Sequence, residues 1–466
     1  MKWIIGSFLC FVTLFVSLAE AQDSSYVIYK NNDEPYQIPL KILLADAEKE
    51  LGITIQCDVK VEPYLDRTVK IAPWKYWNDP ELRLAYFLAP LDLSFEKIDE
   101  KTFRVFEPWY YIRPQNEAKA HLERLAAMYP DRESWTQRRA ELRETILQTM
   151  DLSPLPKRNP LNPIYSEPRQ YEGYSVENVA LEVLPGYFVS GTLYRPTEQE
   201  GPFPIVLCPH GHGKEGRFQD VAQIRAATLA RMGAIAMTYS MFAWIEEESP
   251  LLLTDHRVPF AGTMQTWTTM RVLDFLTSLD QVDAERIGIT GESGGGTQTF
   301  LATALDDRIK VAVPTVMVSA HFYGGCPCES GLPFHILCGG TCNAEIAAMA
   351  APRPLHLTAV KQDWTCNTPD VEFPYIQNIY GFYDAKENVE YAIFDEPHDY
   401  GESKRQAMYP FMAKHLGLDL SRVDESKVVI EPREQMLLFG TNGENYPEDG
   451  IQNIDELREV FKAQKP

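Results

Sequence analysis

Six short apolar runs alternate with amphipathic segments from about Tyr171 onward. The runs occupy residues 205–208, 234–239, 286–290, 310–314, 355–360 and 390–394. Most are bounded by Gly or Pro and are too short for a stable helix, a pattern typical of strands buried on both faces of a sheet. Segments 265–279 and 373–383 have helical spacing instead. The sequence therefore predicts an α/β fold, a mostly parallel sheet covered by helices, over residues 171–421.

Charge restricts the class of protein. The 466 residues include 66 acidic and 44 basic side chains, a formal net charge of −22. Nucleic-acid binding requires clustered Lys and Arg, so that class is excluded. Attachment to a membrane surface by electrostatics is disfavoured for the same reason. We expect a globular protein with no cofactor and no nucleic-acid partner.

The first residues have the pattern of a secretory signal peptide. Lys2 precedes an apolar run over 3–18, and Ala19-Glu20-Ala21 has the small-x-small form of a cleavage site. The alternative is a retained membrane helix, for which the run is short. We expect cleavage after Ala21 and an exported, periplasmic protein that does not span the membrane.

Residues 22–112 have the pattern of a separate small α+β domain. The expected elements are a helix over 40–51 that stops at Gly52, strands at 53–55 and 68–72, a helix from Pro80, and a hairpin of 93–98 with 102–106. This order, with the hairpin turn at Asp99-Glu100-Lys101, resembles the STN domain (secretin and TonB N-terminus). The resemblance implies a protein partner or a spacer role, and a structural appendage is the alternative. A helical connector with a Pro-rich linker (113–170) follows, and a C-terminal extension (422–466) ends the chain.

The pentapeptide Gly291-Glu292-Ser293-Gly294-Gly295 follows one predicted strand and precedes an apolar helix. A G-x-S-x-G sequence between a strand and a helix is typical of a nucleophile elbow, in which the glycines permit a tight turn and the serine oxygen projects from the sheet. The alternative, a phosphate-binding loop, lacks the Lys-Ser/Thr pair. Ser293 is therefore the predicted nucleophile.

A serine hydroxyl needs a base and a carboxylate, which follow the nucleophile in this fold. His398 comes just after the last predicted strand and is the predicted base. Asp363 follows the strand at 355–360 and is the predicted acid, with Asp370 and Asp395 as rivals.

Acyl transfer also needs donors for the oxyanion. The loop Pro209-His210-Gly211-His212-Gly213 follows a strand where lipases and esterases place such donors. The predicted hole consists of the backbone N–H groups of Gly294 and of Gly211 or His212. His210, Trp364 and Glu292 are substrate-pocket candidates. A metal pair formed by His210 and His212 is the alternative, although we expect no metal.

Five cysteines are concentrated in one region: Cys326, Cys328, Cys338, Cys342 and Cys366. In an oxidising compartment this pattern favours a loop held by at least one disulfide, which would form a wall of the substrate pocket. Zinc bound by thiolates is the alternative. Cys208, inside an apolar run, is expected to be a buried free thiol.

Several motifs in order resemble those of α/β-hydrolase carbohydrate esterases. They are VENVALEVLPGYFVSGTLYRP (176–196), PHGHG (209–213), RIGITGESGGG (286–296) and HDYGESKR (398–405). The chain is similar to bacterial proteins often labelled acetyl xylan esterases and to pectin methylesterases of gut Bacteroidetes. The family triad corresponds to Ser293, Asp363 and His398. Glucuronoyl esterases carry an Arg at the elbow, where this chain has Gly294.

The resemblance implies an exported serine esterase that acts on plant cell-wall polysaccharides through an acyl-enzyme. We expect the methyl ester of galacturonate in pectin, because an anionic enzyme should release an acidic product readily. An O-acetyl ester of xylan or pectin is the alternative. A hypothesis of a different class is an envelope binding protein with an inactive hydrolase domain.

Overall fold

A computed structural model describes residues 36–71, 79–91, 93–106, 111–213, 215–244, 248–329, 333–335 and 340–466. The predicted signal peptide and Cys338 lie outside these ranges, within which no helix is long and apolar enough to cross a bilayer. The chain divides into two compact units, Met1–Trp109 and Tyr110–Pro466.

In its described residues, the first unit has two small sheets and two α-helices. Its elements are β1 (Tyr36–Pro39), α1 (Leu40–Leu51), β2 (Thr54–Cys57), β3 (Thr68–Ile71), α2 (Pro80–Leu88), β4 (Ser94–Lys97) and β5 (Thr102–Phe106). β1 pairs with β3, and β5 lies between β2 and β4. The predicted helices, strands and hairpin are confirmed, and Gly52 ends α1 with a φ of 63°. The likeness to an STN domain and the role of the unit stay predictions.

The second unit begins with a short strand, two helices and an antiparallel region. These elements are β6 (Tyr111–Ile112), α3 (Gln115–Met128), α4 (Arg132–Thr149), β7 (Ile164–Tyr165), β8 (Arg169–Tyr171), β9 (Tyr174–Leu184) and β10 (Tyr187–Pro196). The α/β region that follows comprises β11 (Phe203–Pro209), α5 (Asp220–Arg231), β12 (Ile235–Tyr239), α6 (Leu253–His256), α7 (Phe260–Ser278), β13 (Val282–Glu292), α8 (Gly294–Leu305), β14 (Val311–Thr315), β15 (Phe322–Gly324), α9 (Asn343–Ala348), β16 (Leu355–Val360), α10 (Glu372–Gly381), β17 (Val389–Phe394) and α11 (Glu402–Leu416). The helices α12 (Arg433–Met436) and α13 (Ile454–Ala463) complete it.

One large sheet organises this unit, with the strand order β17-β16-β14-β13-β11-β12-β10-β9-β7 and β8 paired to β9. The part from β17 to β12 is parallel, whereas β10, β9, β8 and β7 add antiparallel pairs at one side. All the apolar runs predicted as strands belong to the parallel part, so the expected sheet is confirmed. This is an α/β-hydrolase fold.

Alternate residues of one strand face two separate cores. Ile205 and Leu207 of β11 belong to the core that includes residues of α7 and α8. Val206 and Cys208 of the same strand belong to the core that includes residues of α5 and α11. Because side chains alternate along a strand, burial on both faces requires the continuous apolar run seen in the sequence.

The segments expected to be a connector and an extension both pack into the first of these cores. Leu122 of α3 and Trp135 of α4 are buried there, as are Leu457 and Phe461 of α13. Both segments therefore contribute to the core of the hydrolase unit. Their many charged residues did not indicate this role.

Candidate active site

Ser293 lies in the turn between β13 and α8. Its φ of 54° and ψ of −121° place it in a region that residues with a side chain rarely adopt. The Ser293 N–H donates to the carbonyl of Thr315 on β14 at 3.1 Å, which holds the turn against the sheet. Strain of this kind is typical of functional turns, and it is the conformation expected of a nucleophile elbow.

The glycines on either side of Ser293 are required by close contacts. A Cβ atom on Gly291 or on Gly295 would lie 2.4 Å from the carbonyl oxygen of Pro209. Real Cβ atoms are not found at this distance, and the obstacle is backbone that cannot move aside. The end of β11 therefore packs directly on the elbow, and the G-x-S-x-G sequence follows from that approach.

His398 and Asp363 form a close pair. Nδ1 of His398 lies 2.7 Å from Oδ2 of Asp363, whose side chain is only 3% exposed. The second oxygen of Asp363 accepts hydrogen bonds from the N–H and the hydroxyl of Thr365, both at 2.6 Å. This contact favours the tautomer of His398 with its proton on Nδ1, in which Nε2 is free to act as the predicted base. The rivals Asp370 and Asp395 are exposed.

A cavity of about 660 Å³ lies next to the elbow and to Asp363. Its wall includes Ser293, Asp363 and Trp364. The ring of Trp364 packs on His398 with 4.4 Å between centroids and stacks on Phe322 at 3.9 Å. The structure thus places the predicted nucleophile and acid, and the candidate Trp364, around one cavity.

The predicted oxyanion donors need one correction. The N–H of Gly211 donates to Oε1 of Glu292 at 3.2 Å and is therefore engaged within the protein. Gly294 begins α8, where the first N–H groups have no acceptor in the helix. The N–H groups of Gly294 and His212 stay the predicted donors.

Two substrate-pocket candidates are structural instead. Glu292 forms a buried ion pair with Arg225 at 2.7 Å. His210 accepts from the N–H of Met241 through Nε2 and contacts the carbonyl of Gly211 through Nδ1. Burial lowers the pKa of His210 to about 3, so the ring is neutral. Neither side chain is part of the cavity wall. Glu292 and His210 instead support the loop that carries His212. Because both ring nitrogens of His210 already contact backbone groups, the alternative of a metal pair formed by His210 and His212 is excluded.

Sequence reasoning missed two arginines in the cavity wall. Arg113 follows β6, which pairs with β15, and its N–H donates to the carbonyl of His321. Arg257 follows α6 and lies over the ring of Trp244. Neither forms an ion pair with a carboxylate among the described residues. Neither arginine belongs to a sequence motif, because each is an isolated basic residue in a loop that is separate in sequence from the elbow at Ser293.

His212 lies at the side of the cavity next to Gly294. Nδ1 of His212 is 3.1 Å from Oε1 of the buried Glu329. Burial disfavours protonation of His212, but the charge of Glu329 more than offsets this effect and raises the pKa to about 9. The position therefore stabilises positive charge. His212 is also one of four residues able to hold a metal ion, with His256, Cys326 and Cys328.

The expected disulfide is not found among the described cysteines. Cys326, Cys328, Cys342 and Cys366 are all outside any disulfide, as is the buried Cys208. The prediction was wrong because spacing along the chain does not show what else approaches. Cys326 and Cys328 meet histidines from two other segments. Cys326 and Cys366 do contribute to the cavity wall.

The sheet, the elbow and the Asp363–His398 pair define a carboxylic ester hydrolase of the α/β type, and known proteins are similar. The model of the family described as glucuronyl esterase, fungi, matches residues 188–324. The solved structure of the methylesterase BT1017 is 37% identical, with a TM-score of 0.73. The alignment covers 92% of this chain and 98% of that protein. The chain therefore belongs to the α/β-hydrolase carbohydrate esterases.

A second relative matches over a smaller part. The hydrolase YtaP of Bacillus subtilis (strain 168) is 30% identical over a 198-position alignment that covers 38% of this chain. The match spans 63% of the length of that curated relative. Membership of an esterase family, together with the site geometry, favours the enzyme prediction over an inactive binding protein.

Proposed function

We propose that the protein is an exported serine esterase that hydrolyses the methyl ester of galacturonate residues in pectin. The similarity to a methylesterase over nearly the whole chain supports the ester type. The observation that carries the proposal is the pair of arginines, Arg113 and Arg257, in the wall of the cavity that holds Ser293. Export rests on the sequence pattern of residues 1–21.

The site supports the following reaction. Ser293 attacks the ester carbonyl while Nε2 of His398 accepts its proton, and Asp363 stabilises the resulting imidazolium. The N–H groups of Gly294 and His212 stabilise the oxyanion. His398 gives this proton to the leaving methoxide oxygen, so that methanol departs and the uronoyl group stays esterified to Ser293. A water molecule, deprotonated by His398, then releases the uronate as a carboxylate.

The positive charge of Arg113 and Arg257 in the cavity wall would favour binding of an acidic polysaccharide. The overall charge of −22 repels a polyanion, so binding requires local positive charge. Nη1 of Arg113 is buried and has no hydrogen-bond partner among the described residues. A guanidinium in this state favours a carboxylate ligand, which it binds through two N–H groups. These side chains would supply the charge that the glucuronoyl esterases place at the elbow.

Product analysis tests the ester type. Purified enzyme is incubated with pectin that carries both methyl and acetyl groups, and methanol and acetate are measured together. We expect methanol release to exceed acetate release by a large factor, because hydrolysis of a methyl uronate forms a carboxylate on the acyl side, near the arginines, whereas an O-acetyl ester leaves only acetate there. Acetate as the main product would identify an O-acetyl esterase instead.

Arg257→Ala tests the role of charge. We expect KM for methylated pectin to rise roughly twofold to fivefold, the scale of one exposed charge pair, with little change in kcat. The effect should diminish at high salt. A neutral aryl acetate should be hydrolysed as by the wild type. Arg458→Ala, on α13 and outside the cavity wall, is the matched control. An unchanged KM on pectin would contradict the proposed role.

A further inference from the structure

Two histidines and two cysteines converge beside the first residue of α8. His212 follows β11, His256 ends α6, and Cys326 and Cys328 follow β15. One donor atom from each lies within 4.8 Å of the others. His256, Cys326 and Cys328 are buried, and the side chain of His212 is 16% exposed. We call these four residues the His2Cys2 cluster.

We propose that the His2Cys2 cluster binds one zinc ion through four side chains that are not part of the proposed triad of Ser293, His398 and Asp363. Two imidazole nitrogens and two sulfurs are a donor set that zinc prefers in proteins. Calcium and magnesium require oxygen ligands, which the cluster does not offer. Four protein ligands complete a tetrahedron, which is the arrangement of a structural zinc site.

The distances between the donors fit a compact tetrahedron. Nε2 of His212 is 3.0 Å from Nε2 of His256, and Sγ of Cys328 is 3.2 Å and 3.3 Å from these two atoms. The two sulfurs are 3.2 Å apart. Ligands at about 2.0 Å (nitrogen) and 2.3 Å (sulfur) from zinc give edges of about 3.3–3.8 Å. To admit the ion, the edges that include nitrogen would lengthen by about 0.3 Å and the edge between the two sulfurs by about 0.6 Å.

The contacts of the two rings leave both Nε2 atoms directed into the cluster. Nδ1 of His256 contacts the carbonyl oxygen of Phe242, so it carries a proton. The carboxylate of Glu329, 3.1 Å from Nδ1 of His212, favours a proton there too. The Nε2 atoms of the two rings therefore face each other at 3.0 Å. A proton on His212 satisfies this contact in the absence of metal, and a metal ion that displaces this proton would be bound by the lone pairs of both Nε2 atoms.

The surroundings hold the ligands in place. Glu329 beside His212 and the Phe242 carbonyl beside His256 are the outer partners by which proteins orient metal-binding imidazoles. The ring of Trp244 packs against both histidines, with 4.5 Å and 4.9 Å between centroids. Two thiolates balance the charge of a zinc ion, which reduces the cost of burying the group.

Such a site would join two loops at the elbow. A Cβ on Gly294 would lie 2.6 Å from Cε1 of His212 and 2.6 Å from Oε1 of Glu329, so the two loops touch the residue after the nucleophile. Zinc would position the backbone of His212, a predicted oxyanion donor. This consequence rests on the proposed esterase function, whereas metal binding does not. Loss of zinc should then lower kcat more than it raises KM.

Metal analysis of the full-length protein tests the proposal. Protein purified without a histidine tag and dialysed with zinc is analysed for metal and thiol content. We expect about one zinc per chain, and loss of most of it in Cys328→Ser and His256→Ala. Cys366→Ser, a cysteine of the cavity wall outside the cluster, should keep its zinc. The measurement does not depend on turnover, so failure of the ester assay leaves it interpretable.

Cobalt substitution of the wild-type protein tests the site without relying on variants, which could fail to fold. Cobalt in a tetrahedral site with two thiolates should give an intense visible spectrum and a sulfur-to-cobalt charge-transfer band, both abolished by excess zinc. Folded wild-type protein without stoichiometric zinc, or native protein whose Cys326 and Cys328 form a disulfide by mass spectrometry, would overturn the proposal.

Discussion

Ser293→Ala is expected to reduce ester hydrolysis by about a millionfold, the effect of removing the nucleophile from a triad that acts as a unit. The alanine methyl fits the same backbone, so the fold should persist. Turnover of an aryl acetate, with the thermal midpoint measured in parallel, checks both points. A fluorophosphonate probe should label the wild type and fail to label the variant.

The control for this variant is Ser278→Ala. Ser278 ends α7, and its hydroxyl bonds only the local carbonyl of Phe275 in the described contacts. Activity should match the wild type. If Ser293→Ala retained turnover within about tenfold, an uncatalysed background could not account for it. Another nucleophile would then be required.

Asp363→Asn is expected to lower kcat about 10⁴-fold, because it imposes the wrong tautomer on His398. The N–H and hydroxyl of Thr365 both point at one oxygen of Asp363, so the amide oxygen of asparagine takes that position. The amide NH2 then faces Nδ1 of His398, which must accept. The imidazole proton moves to Nε2, and the base is lost. The pH–rate profile and kcat of the purified variant provide the measurement.

Asp395→Asn is the matched control, since Asp395 is an exposed rival at the end of β17. It should leave kcat unchanged. An equal loss of kcat in Asp363→Asn and Asp395→Asn would show that the contact with Asp363 does not determine the tautomer of His398. Partial recovery of Asp363→Asn at high pH, where hydroxide replaces the general base, would be consistent with the expected mechanism.

The elements that the sequence predicted well depend on local pattern. The apolar runs of the parallel strands, the stop at Gly52 and the elbow around Ser293 follow from neighbours within a few residues. The sequence predicted Asp363 and His398 as acid and base because this fold places these residues at the ends of particular strands, and the structure brings the two side chains together. A strand that is buried on both faces must be apolar throughout, and a turn in close contact with backbone must have glycine at the contact positions. Such constraints can be recognised in the sequence.

Contacts between distant segments were decided only by the tertiary structure. Arg113 reaches the cavity because β6 pairs with β15. The two histidines that lie next to Cys326 and Cys328 come from two other segments of the chain. Gly211 was a predicted oxyanion donor until Glu292 was seen to accept its N–H. The sequence determined which segments form the sheet and the elbow, since periodicity and glycine positions are local properties. The structure determined which charges and donors meet, because loops carry no periodic pattern and their neighbours come from elsewhere in the chain.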